Sequence, residues 1–185
     1  GYTDHNADQM ELFMTYCRDN NCLPDVVSWH ELAEVNEGTA SFSNHYAQFR
    51  ALEKSLGIGP IEICITEYGA KSSNAMPSNS LKWITVFEQN DAAGCRAYWR
   101  TANNMNDLTG DYNSPNADWW VYKWYADMVG QELSVTSTDS NVLRAVASRN
   151  TDTKTVEVLY AGAQNDGDGA AVSVQNLSAV FGNVQ

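Results

Sequence analysis

Apolar positions in residues 8 to 18, DQMELFMTYCR, fall at Met10, Phe13, Met14 and Cys17, the three-and-four spacing of one helical face, with Asp8 placed as the N-cap. After the polar break DNNC the pattern changes: LPDVVSWHEL, residues 23 to 32, is short, β-branched and bounded by Pro24, and predicts a strand. Helical spacing returns at Phe42, Tyr46, Phe49, Leu52 and Leu56, predicting a helix over 41–56 that Ser41 or Ser43 caps and Gly57 ends. GPIEICITEYG (59–69) predicts a second strand, SNSLKWITVFEQN (78–90) a capped amphipathic helix, and GCRAYWRT (94–101) a third strand. Beyond a polar Asn/Gly/Pro loop at 103–116, ADWWVYKWYADMVG (117–130) reads as a helix closed by Gly130.

Strands alternating with helices over 1–130 are the signature of βαβ units on a parallel sheet. After residue 130 the rhythm becomes that of an antiparallel β domain: QELSVTS, NVLRAVASR, KTVEVLYAG and AAVSVQNL are short runs of period two separated by Asp/Asn/Gly turns. NDGDG, at 165–169, lacks calcium-loop spacing and reads as a hairpin loop. Three β/α units do not close a barrel, which needs eight, and four strands make half a sandwich. The expected class is therefore α/β: residues 1–130 as the C-terminal part of a TIM-type (β/α)8 barrel, and residues 131–185 as part of an accessory β-sandwich, with further barrel units expected upstream.

With 185 residues, 43% of them hydrophobic, the chain can bury a substantial core, and no window holds the ~20 apolar residues of a membrane span. Its formal charge of −12 repels phosphate backbones and anionic lipid, which argues against nucleic-acid and membrane partners. An acidic, Asn/Ser/Thr-rich composition with four cysteines suggests a secreted protein. Cys17 and Cys22 flank a short polar turn that a disulfide could close, and Cys64–Cys95 is a second candidate pair; four free thiols are the other reading. No paired CxxC suggests zinc, no GxGxxG or GxxxxGK[ST] loop suggests a nucleotide, and no cofactor is expected. Asn176, in NLS, has the form of an N-glycosylation acceptor.

The candidate chemistry lies at the strand ends, where barrel loops open. Glu67 closes the second strand. Strict alternation places it on one face with Ile61, Ile63 and Ile65, so that a carboxylate would stand at the mouth of an apolar stack. Spacing alone favours a strand-terminal residue that pairs with a lysine or caps the next loop. ITEYG resembles the strand-seven motif of the clan A retaining glycoside hydrolases, whose Glu is the nucleophile. PDVVSWHEL is similar to their strand six, with an inward residue lining the subsite; GCRAYWRT to strand eight, with a Trp beneath the sugar; and NADWWVYKWYADMVG to their final helix. The resemblance spans residues 9 to 180.

It implies a retaining glycoside hydrolase acting on a polysaccharide or glycoside, with Glu67 as nucleophile. His30 would hydrogen-bond a sugar hydroxyl or Glu67, Tyr68 would border the pocket, and Trp99 would stack on the sugar. Most of the other tryptophans are expected in the core. Glu31 lies one βαβ unit before Glu67 and is a candidate rim contact, with an acid/base role left open, although alternation sets it on the opposite face from His30. In the family the acid/base comes from strand four, which would place it upstream, in the N-terminal half of the barrel. The alternative is a non-catalytic carbohydrate-binding or assembly protein on a degenerate barrel scaffold.

Overall fold

A computed structural model of the chain describes residues 5–73, 75–97, 108–138, 143–162 and 169–182. Helix α1 (Ala7–Asp19) is followed by β1 (Val26–Glu31), α2 (Val35–Leu56), β2 (Glu62–Tyr68), α3 (Pro77–Gln89), β3 (Ala92–Arg96) and α4 (Ala117–Asp127). The three strands form a parallel sheet in the order β1-β2-β3. A second sheet, antiparallel and in the order β4-β5-β6, comprises β4 (Gln131–Leu133), β5 (Arg144–Asn150) and β6 (Thr155–Ala161), and a short helix α5 (Leu177–Phe181) follows it. The expected change from parallel to antiparallel architecture after residue 130 is present.

Several boundaries differ from expectation for local reasons. Asn6, not Asp8, caps α1, its side chain accepting from the Gln9 amide at 3.0 Å. Helix α2 begins at Val35 rather than Ser41, with no side-chain cap. Gly38, which reads as a helix breaker, instead lets Trp83 approach: a Cβ there would lie 2.6 Å from the indole. Pro77 opens α3 at its first turn, where its missing N–H costs nothing, and no side chain caps it. Gly130 does not end α4, which stops at Asp127. It lies at φ +115, and a Cβ there would sit 2.1 Å from the Arg149 carbonyl oxygen, so only glycine admits β5 alongside β4. AAVSVQNL, expected as a strand, has none over 170–176, and its last residue opens α5. The third strand runs over 92–96, and of the NDGDG loop only Gly169 lies within the described residues.

One side of the parallel sheet carries the core. Val27 and Trp29 of β1 and Ile61, Ile63 and Ile65 at and within β2 pack against Met10 and Met14 of α1, Phe42 and Phe49 of α2, and Trp83 and Phe87 of α3. Fully burying each such side chain contributes ~1.5–3 kcal/mol. The start of β2 is latched to α2 by two side chains: buried Glu53 accepts from the Ile61 amide at 2.7 Å and from Arg50 at 2.8 Å, and Arg50 donates to the Ile61 carbonyl at 2.9 Å.

A smaller core joins the second sheet to the first. Val146 of β5 meets Leu81 and Ile84 of α3 and Val121 of α4, with Leu159 and Ala161 of β6 alongside. The other face of that sheet, with Ala145, Ala147, Val156, Val158 and Tyr160, lines a cleft of ≈ 380 Å³ closed partly by residues 170–176. Most tryptophans were expected in the core, and Trp29 and Trp83 are buried there, but Trp120 and Trp124 of α4 are exposed. No helix among the described residues is long and apolar enough to cross a membrane.

Glu53→Ala leaves the Ile61 amide without its acceptor and Arg50 without its carboxylate, and is expected to cost about 2–4 kcal/mol in urea unfolding. Glu53→Gln, which keeps an acceptor for Ile61, is expected to cost less.

Candidate active site

Strand β1 alternates cleanly: Val27, Trp29 and Glu31 are buried toward the helices, and Val26, Ser28 and His30 face the other side of the sheet. Strand β2 does not. Trp29 pairs with Ile65 but His30 pairs with Glu67, so one step in β1 matches two in β2. The ladder to β3 slips at the same place, between the Ile65 and Tyr68 pairings. Thr66 is therefore the extra residue of a β-bulge, and its hydroxyl lies 3.5 Å from the Trp29 carbonyl oxygen.

The bulge reverses the parity of everything after it. The isoleucines face the helices, whereas Glu67 stands on the opposite, open face beside His30, with Glu67 Oε2 3.5 Å from His30 Nδ1. This corrects the expectation that Glu67 shares a face with Ile61, Ile63 and Ile65: a strict period of two breaks down where a residue is inserted. The Glu67 side chain is 44% exposed and that of His30 21%. Regular pairing resumes past the bulge, the Gly69 amide donating to the Glu31 carbonyl at 3.1 Å and the Ala97 amide to Tyr68 at 3.0 Å.

Glu31 does not join this pair. It faces α2, 4% exposed, and its Oε1 accepts from Trp29 Nε1 at 2.6 Å and lies 2.7 Å from His45 Nδ1. The alternation that set it opposite His30 holds, and the rim role does not, because both groups that satisfy this carboxylate belong to the core side. His5 stacks on His45 with ring centroids 4.0 Å apart and meets Trp29 edge-on.

Tyr68 is likewise carried to the core side by the bulge. Its ring lies against Trp83 and Phe87, and its hydroxyl is 2.8 Å from that of Tyr122. Burial, followed by the neighbouring Tyr122 hydroxyl, holds its pKa well above the ordinary value, so it stays a neutral phenol. It borders the packed interior rather than an open pocket. Trp99 lies outside the described residues.

Sequence reasoning missed the pair that ties the end of β3 to α4. Arg96 binds Asp118, a fully buried carboxylate in the first turn of α4, and lies over the Tyr122 ring. Burial alone disfavours the charged guanidinium, and Tyr122 and Asp118 more than offset it, leaving the Arg96 pKa raised. The signal in the sequence was an arginine inside a strand and an aspartate two residues past a helix cap, neither specific by itself.

This arrangement can present a carboxylate, with an imidazole beside it, to a ligand on the open face of the sheet. The chain is 35% identical, over 182 residues, to a 3-O-beta-L-arabinopyranosyl-alpha-L-arabinofuranosidase of Bifidobacterium pseudocatenulatum, with 92% of this chain and 18% of that protein aligned. It is 36% identical over 163 residues to a 3-O-alpha-D-galactosyl-alpha-L-arabinofuranosidase of Bifidobacterium longum subsp. longum, covering 86% of this chain and 14% of that one. Both relatives are glycosidases. The chain spans less than a fifth of their length. Among solved structures, N2152 from Neocallimastix frontalis superposes with a TM-score of 0.74 at 30% identity, covering 86% of this chain and 40% of that one. No family model matches the chain.

Glu31→Ala removes the acceptor of Trp29 and His45 and is expected to lower stability by about 1–3 kcal/mol in urea unfolding. Burial, and then the charge of His45, lower the pKa of His5 from 6.5 to about 4. Between these values the unfolded chain binds a proton at this site that the folded chain does not, so stability falls as pH drops from 6.5 toward 4. His5→Phe is expected to flatten that part of the urea-midpoint profile.

Proposed function

We propose that the chain is part of a retaining glycoside hydrolase that removes α-L-arabinofuranosyl units from a polysaccharide or its side chains, and that Glu67 is the nucleophile. The observation that carries this reading is the placement of Glu67 at the C-terminal end of a parallel strand, turned by the bulge onto the open face beside His30. The alignment with two arabinofuranosidases supports an arabinofuranoside as the substrate class.

In this reading the parallel sheet is a segment of a (β/α)8 barrel, and the open face is the barrel interior. The antiparallel sheet is part of an accessory sandwich, whose cleft along Val156 and Val158 would be filled by further strands. The carboxylate of Glu67 attacks the anomeric carbon, and the glycosidic bond breaks as a second carboxylic acid protonates the leaving oxygen. Water, deprotonated by that same group, then cleaves the glycosyl ester and restores Glu67. The second carboxyl group must stand about 5–5.5 Å away in a retaining enzyme. Glu31 is committed to Trp29 and His45 on the other side of the sheet, and the resemblance to the clan A enzymes assigns the acid/base to strand four, upstream of these strands. His30 orients the Glu67 carboxylate or holds a sugar hydroxyl, and Trp99, three residues past β3, supplies an apolar platform for the sugar face. A longer protein of this kind would act outside the cell, where its polysaccharide is found.

In the full-length protein, Glu67→Gln is expected to lower kcat on an arabinofuranoside by at least about three orders of magnitude while sugar binding persists. His30→Ala is expected to reduce kcat less. Undiminished turnover by the Glu67 variant would contradict the assignment.

A further inference from the structure

All four cysteines are thiols in the structure, and the fold sorts them into two pairs. The first pair closes the end of α1. The Cys22 amide donates to the Cys17 carbonyl at 2.9 Å and the Asn21 amide to the Arg18 carbonyl at 3.2 Å, with Asn21 in the left-handed region at φ 54. That is a Schellman turn, a geometry that brings together the side chains at the two positions Cys17 and Cys22 occupy. The adjacent Cys22 thiol, after burial, raises the pKa of Cys17.

The second pair bridges neighbouring strands. Cys64 of β2 is in register with Ala93 of β3, and Cys95 lies two residues further along β3. Both cysteines alternate away from the helix-facing positions Ile63, Ile65 and Gly94, the last of which abuts Phe87. They therefore share the open face, one residue pair apart across neighbouring strands.

We propose that these pairs are sites of oxidative modification, forming the disulfides Cys17–Cys22 and Cys64–Cys95. Four cysteines allow three pairings. The fold leaves one: α1 packs on the helix-covered side of the sheet through Met10 and Met14, so the sheet itself separates Cys17 and Cys22 from the open-face pair.

Among the described residues each pair holds one exposed and one shielded sulfur, which sets the order of events before further barrel strands close over the open face. Cys22 and Cys95 are exposed, whereas Cys17 is buried and Cys64 partly so. Burial first, and then the adjacent thiol, raise the pKa of Cys17 and of Cys64. The exposed thiolate attacks a small-molecule or protein disulfide, expelling one thiolate and forming a mixed disulfide. The shielded partner, once deprotonated, attacks the cysteine sulfur of that mixed disulfide and expels the second thiolate. Two protons leave the pair, and its two electrons reduce the donor disulfide to two thiols.

The test is to refold the full-length protein in oxidised and reduced glutathione, block residual thiols by alkylation, and map tryptic peptides without reduction. Cleavage after Arg18 separates Cys17 from Cys22, and cleavage after Lys71 and Lys82 separates Cys64 from Cys95. The expected result is two linked peptide pairs with those connectivities, both lost on reduction, and a higher urea midpoint for the oxidised chain. The Cys95→Ser variant is expected to expose Cys64 to alkylation while leaving the Cys17–Cys22 link intact. Four alkylatable cysteines in the oxidising buffer, or any link between the two pairs, would overturn the proposal.

Discussion

One inserted residue decides what this sheet displays. Thr66 occupies a position in β2 that neither flanking strand matches, and the slip inverts the facing of all that follows. Without it, Glu67 would point with the isoleucines into the aromatic core, where an unpaired carboxylate costs several kcal/mol. With it, Glu67 meets His30 at the strand end on the uncovered face, and Tyr68 takes the core position instead. The question of why a charge ends so apolar a strand thus has a local answer: the charge leaves the apolar side just before the strand stops.

The bulge is useful only because both its ends are pinned. Before it, Arg50 and Glu53 hold the backbone of Ile61, so the start of β2 cannot slide along α2. After it, Tyr68 is held through Tyr122 on α4, and Arg96 on the adjacent strand through Asp118 on the same helix. Helix α4 therefore fixes the ends of two neighbouring strands at once. Because its Val121 also joins the core under the antiparallel sheet, the second sheet bears on the same framework.

Much of this was legible in the residues. The order of elements followed from the change between three-four and two-residue periods, because those periods report burial directly. A contact with Glu67 was one of two roles that the resemblance implied for His30, and the face expected for Glu67 was wrong because strict alternation was carried through a bulge that no composition rule marks. Glu31 could be set on the opposite face because β1 has no bulge and alternation there holds. The early start of α2 and the role of Gly130 were not legible, since both glycines answer to distant neighbours, Trp83 and the Arg149 backbone. Local sequence names a glycine as a breaker; only the tertiary partner shows that it is a point of close approach.

Sequence and geometry join at a single carboxyl group. The alignment with arabinofuranosidases covers a small share of those proteins, so the chemistry proposed for this chain rests on Glu67 acting together with groups supplied from outside it. The most direct measurement is to treat the full-length protein with an arabinofuranose-configured, mechanism-based inhibitor that esterifies a catalytic carboxylate, and to locate the adduct by peptide mass spectrometry. The account predicts a single covalent sugar on the peptide containing Glu67. An adduct on Glu31 or any other carboxylate, or inhibition with Glu67 unmodified, would contradict it.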